Sequence, residues 1–235
     1  MKNSMCGRYS VAIRVKDKNN KASRVAQLLE KYQLEARYNA APPQLLPVVT
    51  GDKPDQLQLF SWGLVPHWST DLTPRNKPPI NARAETLLEK PSFRALITSK
   101  RCLVPANSFY EWRNTAAGKV PYRFLLQSEA LVSFAGLWDT WADKHTGQVL
   151  NTFTIITTQA NELVRPTHDR MPVLLTPEKE EAWLTTKAGY HTLHTLLQPF
   201  PAQEMKAYPV SALVNAVAHN TPALWLPAPE QGSLF

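Results

Sequence analysis

The chain has 235 residues, and no segment rich in Pro, Gly and Ser divides it, so we expect a single domain. Its formal net charge of +7 favours a polyanion such as nucleic acid as a partner, although a basic protein without such a partner has the same composition. Two cysteines are too few for a disulfide framework. The chain has no Gly-rich phosphate loop, which argues against a nucleotide-binding protein. It has no signal peptide and no long apolar run, which argues against a secreted protein and a membrane protein. We therefore expect a cytoplasmic protein.

Apolar periodicity predicts more strands than helices. In chain order we expect a strand at 11–15, a helix after Ser23, a loop at 37–43, strands at 45–49 and 57–64, and a polar loop at 66–79. Helices after residue 86 and at 93–97 follow, then strands at 103–112, 122–126, 131–138 and 152–158, a helix from Thr176 through Trp183, a helix at 191–197 and a strand at 205–210. The spacing is not that of βαβ units. The sequence therefore predicts an α+β fold, with a curved, barrel-like, mostly antiparallel β-sheet and peripheral helices.

Near its start the chain reads Met5-Cys6-Gly7-Arg8-Tyr9, and removal of everything through Met5 would make Cys6 the first residue. An N-terminal Cys carries an amine and a thiol on adjacent carbons, and both groups titrate near neutral pH. Such a pair captures an aldehyde, because the amine forms a Schiff base and the thiolate closes a five-membered thiazolidine ring on it. The alternative is a buried Cys without a chemical role, which is the commoner state of a free Cys.

Three further clusters place polar groups in apolar surroundings. Glu111 lies in the run Phe109-Tyr110-Glu111-Trp112, which is typical of a carboxyl group with a raised pKa that transfers protons, although a strand Glu can also face water. His168 lies in a polar turn with an acidic and a basic neighbour, where it can be an acid or base or can be purely structural. Asn81 and Arg83 are two residues apart, so in an extended chain their side chains lie on the same side.

The remaining Cys and His residues do not predict a metal site. Cys102 lies in an apolar run and is expected in the core. His191 and His194 are three residues apart on a predicted helix, but without a third ligand a solvated helix face is the simpler interpretation. We expect neither a metal nor a cofactor.

Six motifs follow one another from Cys6 to about Val217, nearly the whole chain. They are Met5-Cys6-Gly7-Arg8-Tyr9; Arg37-Tyr38-Asn39 with Pro42; Trp62-Gly63-Leu64-Val65-Pro66 with Trp68; Ile80-Asn81-Ala82-Arg83-Ala84-Glu85-Thr86; Phe109-Tyr110-Glu111-Trp112; and His168-Asp169-Arg170-Met171-Pro172. Together they resemble the motifs of the SRAP family, the "SOS response-associated peptidase" proteins. The resemblance implies a barrel-like α+β domain, in agreement with the predicted elements.

The resemblance also implies a shield for abasic sites in single-stranded DNA during the DNA damage response. An N-terminal Cys6 would react with the aldehyde of the ring-opened sugar and leave a stable thiazolidine crosslink between protein and DNA. Asn81 would orient the Cys or the sugar, and Glu111 would manage protons on the amine. His168 would be the acid that helps to open the sugar and form the Schiff base, and it would also assist reversal.

For DNA binding, the resemblance implies four residues. Arg8 and Arg83 would bind the flanking phosphates, because a guanidinium group matches a phosphate with two hydrogen bonds. Trp68 and Asn39 would line the DNA path, since bases that stack on aromatic rings hold a single strand without regard to its sequence. The expected partner is single-stranded DNA with abasic sites, bound by a monomer that has no membrane contact and is nucleoid-associated when on DNA.

The expected activity is mostly stoichiometric capture, with autopeptidase and lyase-type activities as further implications of the resemblance. Two other hypotheses stay open. One is a thiol peptidase or amidohydrolase that turns over, with Cys6 as nucleophile and His168 as base. The other is a non-covalent reader of modified DNA, which would not need Cys6.

The chain departs from the family at its start, because family members begin Met-Cys whereas four residues precede Met5 here. An internal Cys6 has no free amine, so the mechanism requires either that translation starts at Met5, which we favour, or that residues 1–5 are cleaved, with Glu111 and His168 as candidates for autoproteolysis. We therefore divide the chain into a leader at 1–5 that is absent from the active form, one domain at 6–225 and a tail at 226–235.

The tail begins with a proline-rich, stiff stretch and ends Gln231-Gly232-Ser233-Leu234-Phe235. These five residues resemble the peptide with which bacterial proteins dock on the replication sliding clamp, except that Gly232 stands where Leu is usual. Leu234 and Phe235 would fill an apolar pocket while Gln231 fixes the register. The alternative is an idle tail with a chance match, because short motifs discriminate weakly.

Overall fold

The computed structural model describes residues 6–13, 23–70, 77–116, 118–144, 146–185 and 193–229. Several predictions fall outside these ranges: the leader 1–5, the end of the strand at 11–15, the first two residues of the helix at 191–197, and the clamp-binding peptide. Those predictions stay predictions.

Strands dominate the described residues. They are β1 (Tyr9–Val11), β2 (Arg37–Ala40), β3 (Leu45–Thr50), β4 (Lys53–Trp62), β5 (Asn81–Arg83), β6 (Arg101–Ala106), β7 (Ser108–Thr115), β8 (Gly118–Leu126), β9 (Val132–Ala142), β10 (Val149–Gln159), β11 (Arg170–Pro172), β12 (Leu174–Leu175) and β13 (Met205–Pro209). The α-helices described over their full length are α1 (Arg24–Lys31), α2 (Pro91–Arg94), α3 (Leu96–Ser99) and α4 (Pro177–Thr185). Short 3-10 helices occupy Ala84–Thr86, Ala202–Glu204, Ala212–Asn215 and Pro222–Trp225. None of the described helices is long and apolar enough to cross a membrane.

Five long strands close into a barrel. β3 lies between β4 and β6, β6 pairs with β9, β9 pairs with β10, and β10 returns to β4. Only the β4–β10 contact of this ring is parallel. β5 and β11 extend the sheet from β10, and β12 extends it from β9. The predicted α+β architecture with a barrel-like, mostly antiparallel sheet is therefore confirmed.

A second sheet, entirely antiparallel, has the order β13-β8-β7-β1-β2 and packs against the barrel through aromatic rings. The ring of Tyr9 lies 5.2 Å from that of Trp62 and 5.7 Å from that of Phe134, both at edge-to-face angles. Phe109 of β7 contacts Phe134 in the same way at 6.3 Å. Edge-to-face rings of this kind are favourable beyond their buried area. They lock β1 and β7 onto the barrel, and with them the residues on either side of Tyr9.

Several predicted elements are wrong in detail. The strand predicted at 11–15 is β1, which ends at Val11, and the helix predicted after residue 86 is replaced by a 3-10 helix that ends at Thr86. The helix predicted at 93–97 is the two helices α2 and α3, which are separated at Ala95.

The first half of the predicted loop at 37–43 is strand β2, which pairs with β1 because the buried Asn39 amide finds carbonyl partners and so does not require a loop. The predicted strand at 103–112 is two strands broken at Asn107, whose side-chain oxygen accepts a hydrogen bond from the N–H of Ala12 at 2.6 Å. A side chain that bonds to a neighbouring backbone in this way competes with strand pairing.

Two predicted helix starts, at Ser23 and at Thr176-Pro177, are confirmed. The hydroxyl of Ser23 caps α1 by accepting a hydrogen bond from the N–H of Ala26 at 3.1 Å. Helix α4 begins at Pro177, as predicted from a proline at the first helical position.

Candidate active site around Cys6

Strand pairing carries Cys6 to Glu111. β1 and β7 are antiparallel, with Tyr9 opposite Phe109, so residues that precede β1 run alongside the middle of β7. The backbone N–H of Cys6 donates a hydrogen bond to a side-chain oxygen of Glu111 at 2.6 Å. The two residues are 105 positions apart in the sequence, and the sheet alone brings them together.

Both groups are removed from water, with Cys6 3% and Glu111 4% exposed. Burial raises the pKa of the Glu111 carboxyl, while a positive charge on His168 and hydrogen bonds from Cys6 act in the opposite direction. Burial, and next the charge of Glu111, raise the pKa of the Cys6 thiol well above its usual value. With residues 1–5 attached, both shifts favour the protonated forms of the Cys6 thiol and the Glu111 carboxyl. The ionisation of Cys6 as a first residue stays a prediction.

His168 lies in the turn between β10 and β11. Its backbone N–H bonds to the carbonyl of Val164 at 3.0 Å. Its ring Nδ1 accepts a hydrogen bond from the N–H of Arg170 at 3.0 Å and lies 3.0 Å from a carboxylate oxygen of Asp169. The bond from the Arg170 N–H needs a lone pair on Nδ1, whereas a bond to the Asp169 carboxylate needs a proton there. Nδ1 can thus change partners when the ring gains a proton, which suits a group that both donates and accepts protons.

Arg113 ties this turn to the strand that carries Glu111. Its Nε donates to the hydroxyl of Thr167 at 3.2 Å, and its guanidinium group stacks on the ring of Tyr122 at 4.2 Å. Because residues two apart on a strand lie on the same side, β7 presents Glu111 and also holds the turn with His168. We did not predict Arg113 from the sequence; its spacing from Glu111 was the available signal.

Asn81 and Arg83 lie on β5, which pairs in parallel with β10. Asn81 is half-buried, Ala82 buried and Arg83 exposed, the alternation expected of an extended chain. Directly after β5, both oxygens of Glu85 bind the guanidinium group of Arg170 at 2.7 Å. Burial pushes the pKa of Glu85 upward, but these bonds more than offset it and leave the pKa below its usual value. The Glu85–Arg170 pair therefore fastens β5 to the segment that carries His168.

Arg8 and Asn39 hold another part of the chain in place. Arg8 donates to the side-chain oxygen of Asn39 at 2.8 Å and to the carbonyl of Val214. The Asn39 amide nitrogen donates to the carbonyls of Ala216 and His219 at 3.0 and 2.9 Å. Both residues thus anchor the 212–219 segment to β2. Their contact with DNA stays a prediction.

Two concave surfaces border the site. A groove of about 810 Å³ begins at Gly7, next to Cys6, and has one charged wall residue, Lys77. Its apolar lining includes Pro42, Pro43, Trp62, Pro79, Ile80 and Leu150. A depression of about 380 Å³ is lined by Arg83, Arg165 and Arg170 together with the carboxylate of Asp169. The first suits flat apolar groups such as bases, and the second suits anions. Among the described residues, no three His, Cys, Asp or Glu side chains are placed to hold a metal ion.

Comparison with known proteins identifies the family. Residues 5–217 match the model of the SOS response associated peptidase (SRAP) family. The chain belongs to the SRAP family. It is similar to the abasic site processing protein YoqW of Bacillus subtilis (strain 168), with 44% identity over 223 residues, 94% of this chain and 98% of that protein. It is also similar to the abasic site processing protein HMCES of Gallus gallus, with 32% identity over 221 residues, 81% of this chain and 66% of that protein.

Solved structures agree with this SRAP assignment. A crystal structure of a Bacteroides thetaiotaomicron protein superposes with a TM-score of 0.81 at 35% identity, over 95% of this chain and 100% of that one. A Bordetella bronchiseptica protein superposes with a TM-score of 0.71 at 24% identity, over 88% and 100%, which shows the shared fold alone.

Within this SRAP domain the structure brings three of the four predicted catalytic residues close together. Cys6 and Glu111 are hydrogen-bonded, and His168 is near enough for its charge to act on Glu111. Asn81 lies on β5, and the Glu85–Arg170 pair connects the end of that strand to the segment that follows His168. Trp68 is exposed in the loop that follows Pro66.

Proposed function

We propose that this SRAP protein processes abasic sites in DNA by capturing them covalently through Cys6. The hydrogen bond between the Cys6 backbone nitrogen and Glu111 carries the proposal, because it places a proton acceptor on the nitrogen that must attack the aldehyde. Relatives at 44% and 32% identity are named abasic site processing proteins, which supports the substrate class.

The reaction needs Cys6 as the first residue. Its neutral amine adds to the aldehyde carbon of the opened sugar to give a carbinolamine, which loses water to form a Schiff base. The thiol then adds across the C=N bond: a C–S bond forms, the nitrogen gains the thiol proton, and the product is a thiazolidine. One water leaves and no oxidant or reductant is required. Glu111 takes the proton from the ammonium group before attack and can return it during ring closure.

His168 supplies the second proton relay. A protonated ring can donate to the sugar ring oxygen as the hemiacetal opens, and to the hydroxyl that leaves the carbinolamine. Its Nδ1 lies 3.0 Å both from the carboxylate of Asp169 and from the N–H of Arg170. Asn81, at the edge of the site, would orient the sugar through its amide.

DNA binding would use the surfaces on either side of Cys6. Exposed Arg83, in the basic depression, is suited to a backbone phosphate. Unstacked bases would lie along the apolar groove, with Trp68 as an aromatic platform. Arg8 and Asn39 would reach the strand only at the edge of the segment that they hold.

Removal of the leader can use the same groups. In the chain with its leader, the Cys6 nitrogen is an amide, and Cys6 has a φ of +37°, a strained value for a residue with a side chain. The Cys6 thiol could give its proton to the Glu111 carboxylate and attack the Met5 carbonyl, and as the C–N bond breaks Glu111 would pass that proton to the departing amine, which leaves a Met5–Cys6 thioester. Water would then hydrolyse the thioester and release residues 1–5. A start of translation at Met5 gives the same product without this step.

The clamp-binding peptide with Gln231, Leu234 and Phe235 stays a separate prediction.

The test is a crosslinking gel with single-stranded DNA that carries one abasic site, together with the intact mass of the protein from its native host. We expect protein that begins at Cys6 to form a stoichiometric, denaturant-resistant band. Cys6→Ala should form none, and Cys6→Ser should form only a band that needs borohydride trapping, since it keeps the amine and loses ring closure.

Three outcomes would contradict the proposal. Multiple turnover of a peptide or amide substrate would favour the thiol hydrolase. Equal binding of intact and abasic DNA that survives Cys6→Ala, without a covalent band, would favour the non-covalent reader. An active protein that retains residues 1–5 would exclude the thiazolidine.

A further inference from the structure

The Trp68 loop (residues 63–69) presents an exposed aromatic ring on a fixed backbone. Trp68 is 56% exposed, so it adds little to the core. The next residue is held, because the carbonyl of Ser69 accepts a hydrogen bond from the buried indole of Trp141 at 2.8 Å. A large exposed ring on an anchored loop indicates binding.

The strongest anchor is the carboxylate of Asp139 on β9, which is 1% exposed. One oxygen accepts hydrogen bonds from the ammonium group of Lys100 at 2.5 Å and from the N–H of Thr140 at 2.9 Å. The other accepts from the backbone N–H of His67 at 2.8 Å and from its ring Nδ1 at 2.9 Å. An ionised carboxylate only accepts, so Nδ1 of His67 carries a proton. The residue directly before Trp68 is thus fixed in both backbone and ring.

These bonds keep Asp139 ionised. Burial would raise its pKa, but the bonds from Lys100 and His67 outweigh it and bring the pKa below its usual value. The buried charge therefore has partners on both oxygens and has no need to change its protonation state near neutral pH.

A second anchor comes from β10. The hydroxyl of Thr152, fully buried, accepts the N–H of Val65 at 2.9 Å. The same strand pairs with β5, which carries Asn81 and Arg83. The barrel thus fixes the Trp68 loop and the Arg83 strand in one frame.

We infer that Asp139 is a positioning residue for DNA capture, which fixes the Trp68 loop so that the Trp68 ring stands ready to stack on an unpaired base beside the abasic site. The inference rests on the proposed function. A ring that is ordered before binding saves the entropy of ordering it on contact with DNA. Among the described contacts of Asp139 there is none to Cys6 or Glu111, so it acts on binding and leaves the chemical step alone.

The experiment is a double-mutant cycle with Asp139→Asn and Trp68→Ala. An amide at position 139 presents an NH₂ group either to the Lys100 side or to the His67 side, and one anchor is lost. Single-turnover crosslinking over a range of abasic single-strand concentrations gives a half-saturating concentration and a maximal rate. We expect Trp68→Ala to raise the half-saturating concentration about tenfold, or about 1.4 kcal/mol. Asp139→Asn should raise it about three- to tenfold, with the maximal rate within about twofold of wild type.

The coupling between the Asp139 and Trp68 substitutions distinguishes a residue that positions Trp68 from one that only stabilises the fold. In the Trp68→Ala background, Asp139→Asn should add less than about twofold, because the ring that it positions is gone. The matched control is Glu180→Gln, another buried carboxyl group, which bonds to Ser133 on the same strand β9 and should leave both quantities unchanged. Thermal melts check that each variant is folded. If Asp139→Asn does not fold, Thr152→Val is judged by the same criteria.

An unchanged half-saturating concentration, full additivity with Trp68→Ala, or a loss confined to the maximal rate would overturn the inference. If wild type forms no crosslink at all, the proposed function fails. The same cycle is then measured as plain binding of single-stranded DNA, where coupling of Asp139 to Trp68 must appear for the inference to stand.

Discussion

Glu111 is a carboxyl group on a strand of aromatic residues, and its burial makes the charged form costly. Its folded-state pKa lies above the usual 4.5, so the folded protein holds the proton more tightly than the unfolded chain does. The stabilisation that follows is complete below pH 4.5 or so and is lost as the pH rises through the folded-state pKa. The proposed reaction needs the ionised form to accept a proton from the amine, so under that proposal function and stability favour opposite states of one residue.

Glu111→Gln should therefore change stability and crosslinking in opposite directions. Gln stays neutral, so the free energy of unfolding of the variant, relative to wild type, should increase as the pH rises above 4.5, while the crosslinking rate falls by about 10²–10⁴. Urea unfolding at several pH values measures the first and timed gels measure the second. Glu89→Gln, at an exposed position, is the control and should change neither the free energy of unfolding nor the crosslinking rate. A stability difference that does not vary with pH would be incompatible with a raised pKa at Glu111.

At the scale of elements, β7 does more than carry Glu111. The contact between Arg113 and Thr167 joins this strand to the turn with His168, so the two proton-transfer groups are set by one rigid connection. The Glu85–Arg170 pair makes a second connection, from β5 to the other end of the same turn. A loop that carries a catalytic base gains precision when both of its ends are tied to strands.

Thr167→Val should weaken this connection, because it removes the hydroxyl that accepts from Arg113. One lost hydrogen bond is worth about 1 kcal/mol, so we expect the maximal crosslinking rate to fall about fivefold with little change in the half-saturating DNA concentration. Thr115→Val is matched to it, since it deletes a hydroxyl bond to Gly118 at the far end of the same strand. Similar maximal crosslinking rates for Thr167→Val and Thr115→Val would show that the Arg113–Thr167 contact does not position His168.

The sequence predicts elements better than it predicts the contacts between them. Apolar alternation and caps locate most strands and helices, because those signals are local. The meeting of Cys6 with Glu111 depends on a pairing across 105 residues, which no local pattern encodes. Strand β2 was missed because the polar partners of Asn39 come from the 212–219 segment. Asp139 offered a faint signal, a carboxylate in a strand between two tryptophans, but its four donors arrive from three parts of the chain.

At the scale of the whole molecule, the small second sheet supplies Cys6 and Glu111, and the barrel supplies Asn81, Arg83 and the His168 turn. The proposed site lies where the two sheets meet, and the Tyr9 and Phe109 rings pack the second sheet against the barrel there. The net charge of +7 favours a polyanion over the surface as a whole, but charge alone fixes no position on a DNA strand. Register on the strand has to come from individual cations such as Arg83.

Arg83→Ala should therefore change the salt dependence of DNA binding, and not merely its strength. Each phosphate contact on a single strand contributes about 0.7 to the slope of log K against log salt, so the slope should fall by about that amount. The measurement is fluorescence anisotropy of an undamaged oligonucleotide at several salt concentrations, in a Cys6→Ala background that keeps binding reversible. Lys179→Ala removes the same charge from exposed helix α4, which packs on β6 and β9, and should leave the slope unchanged. Equal slopes of log K against log salt for Arg83→Ala and Lys179→Ala would mean that DNA binding depends on the net charge alone. Arg83 would then not contact a phosphate.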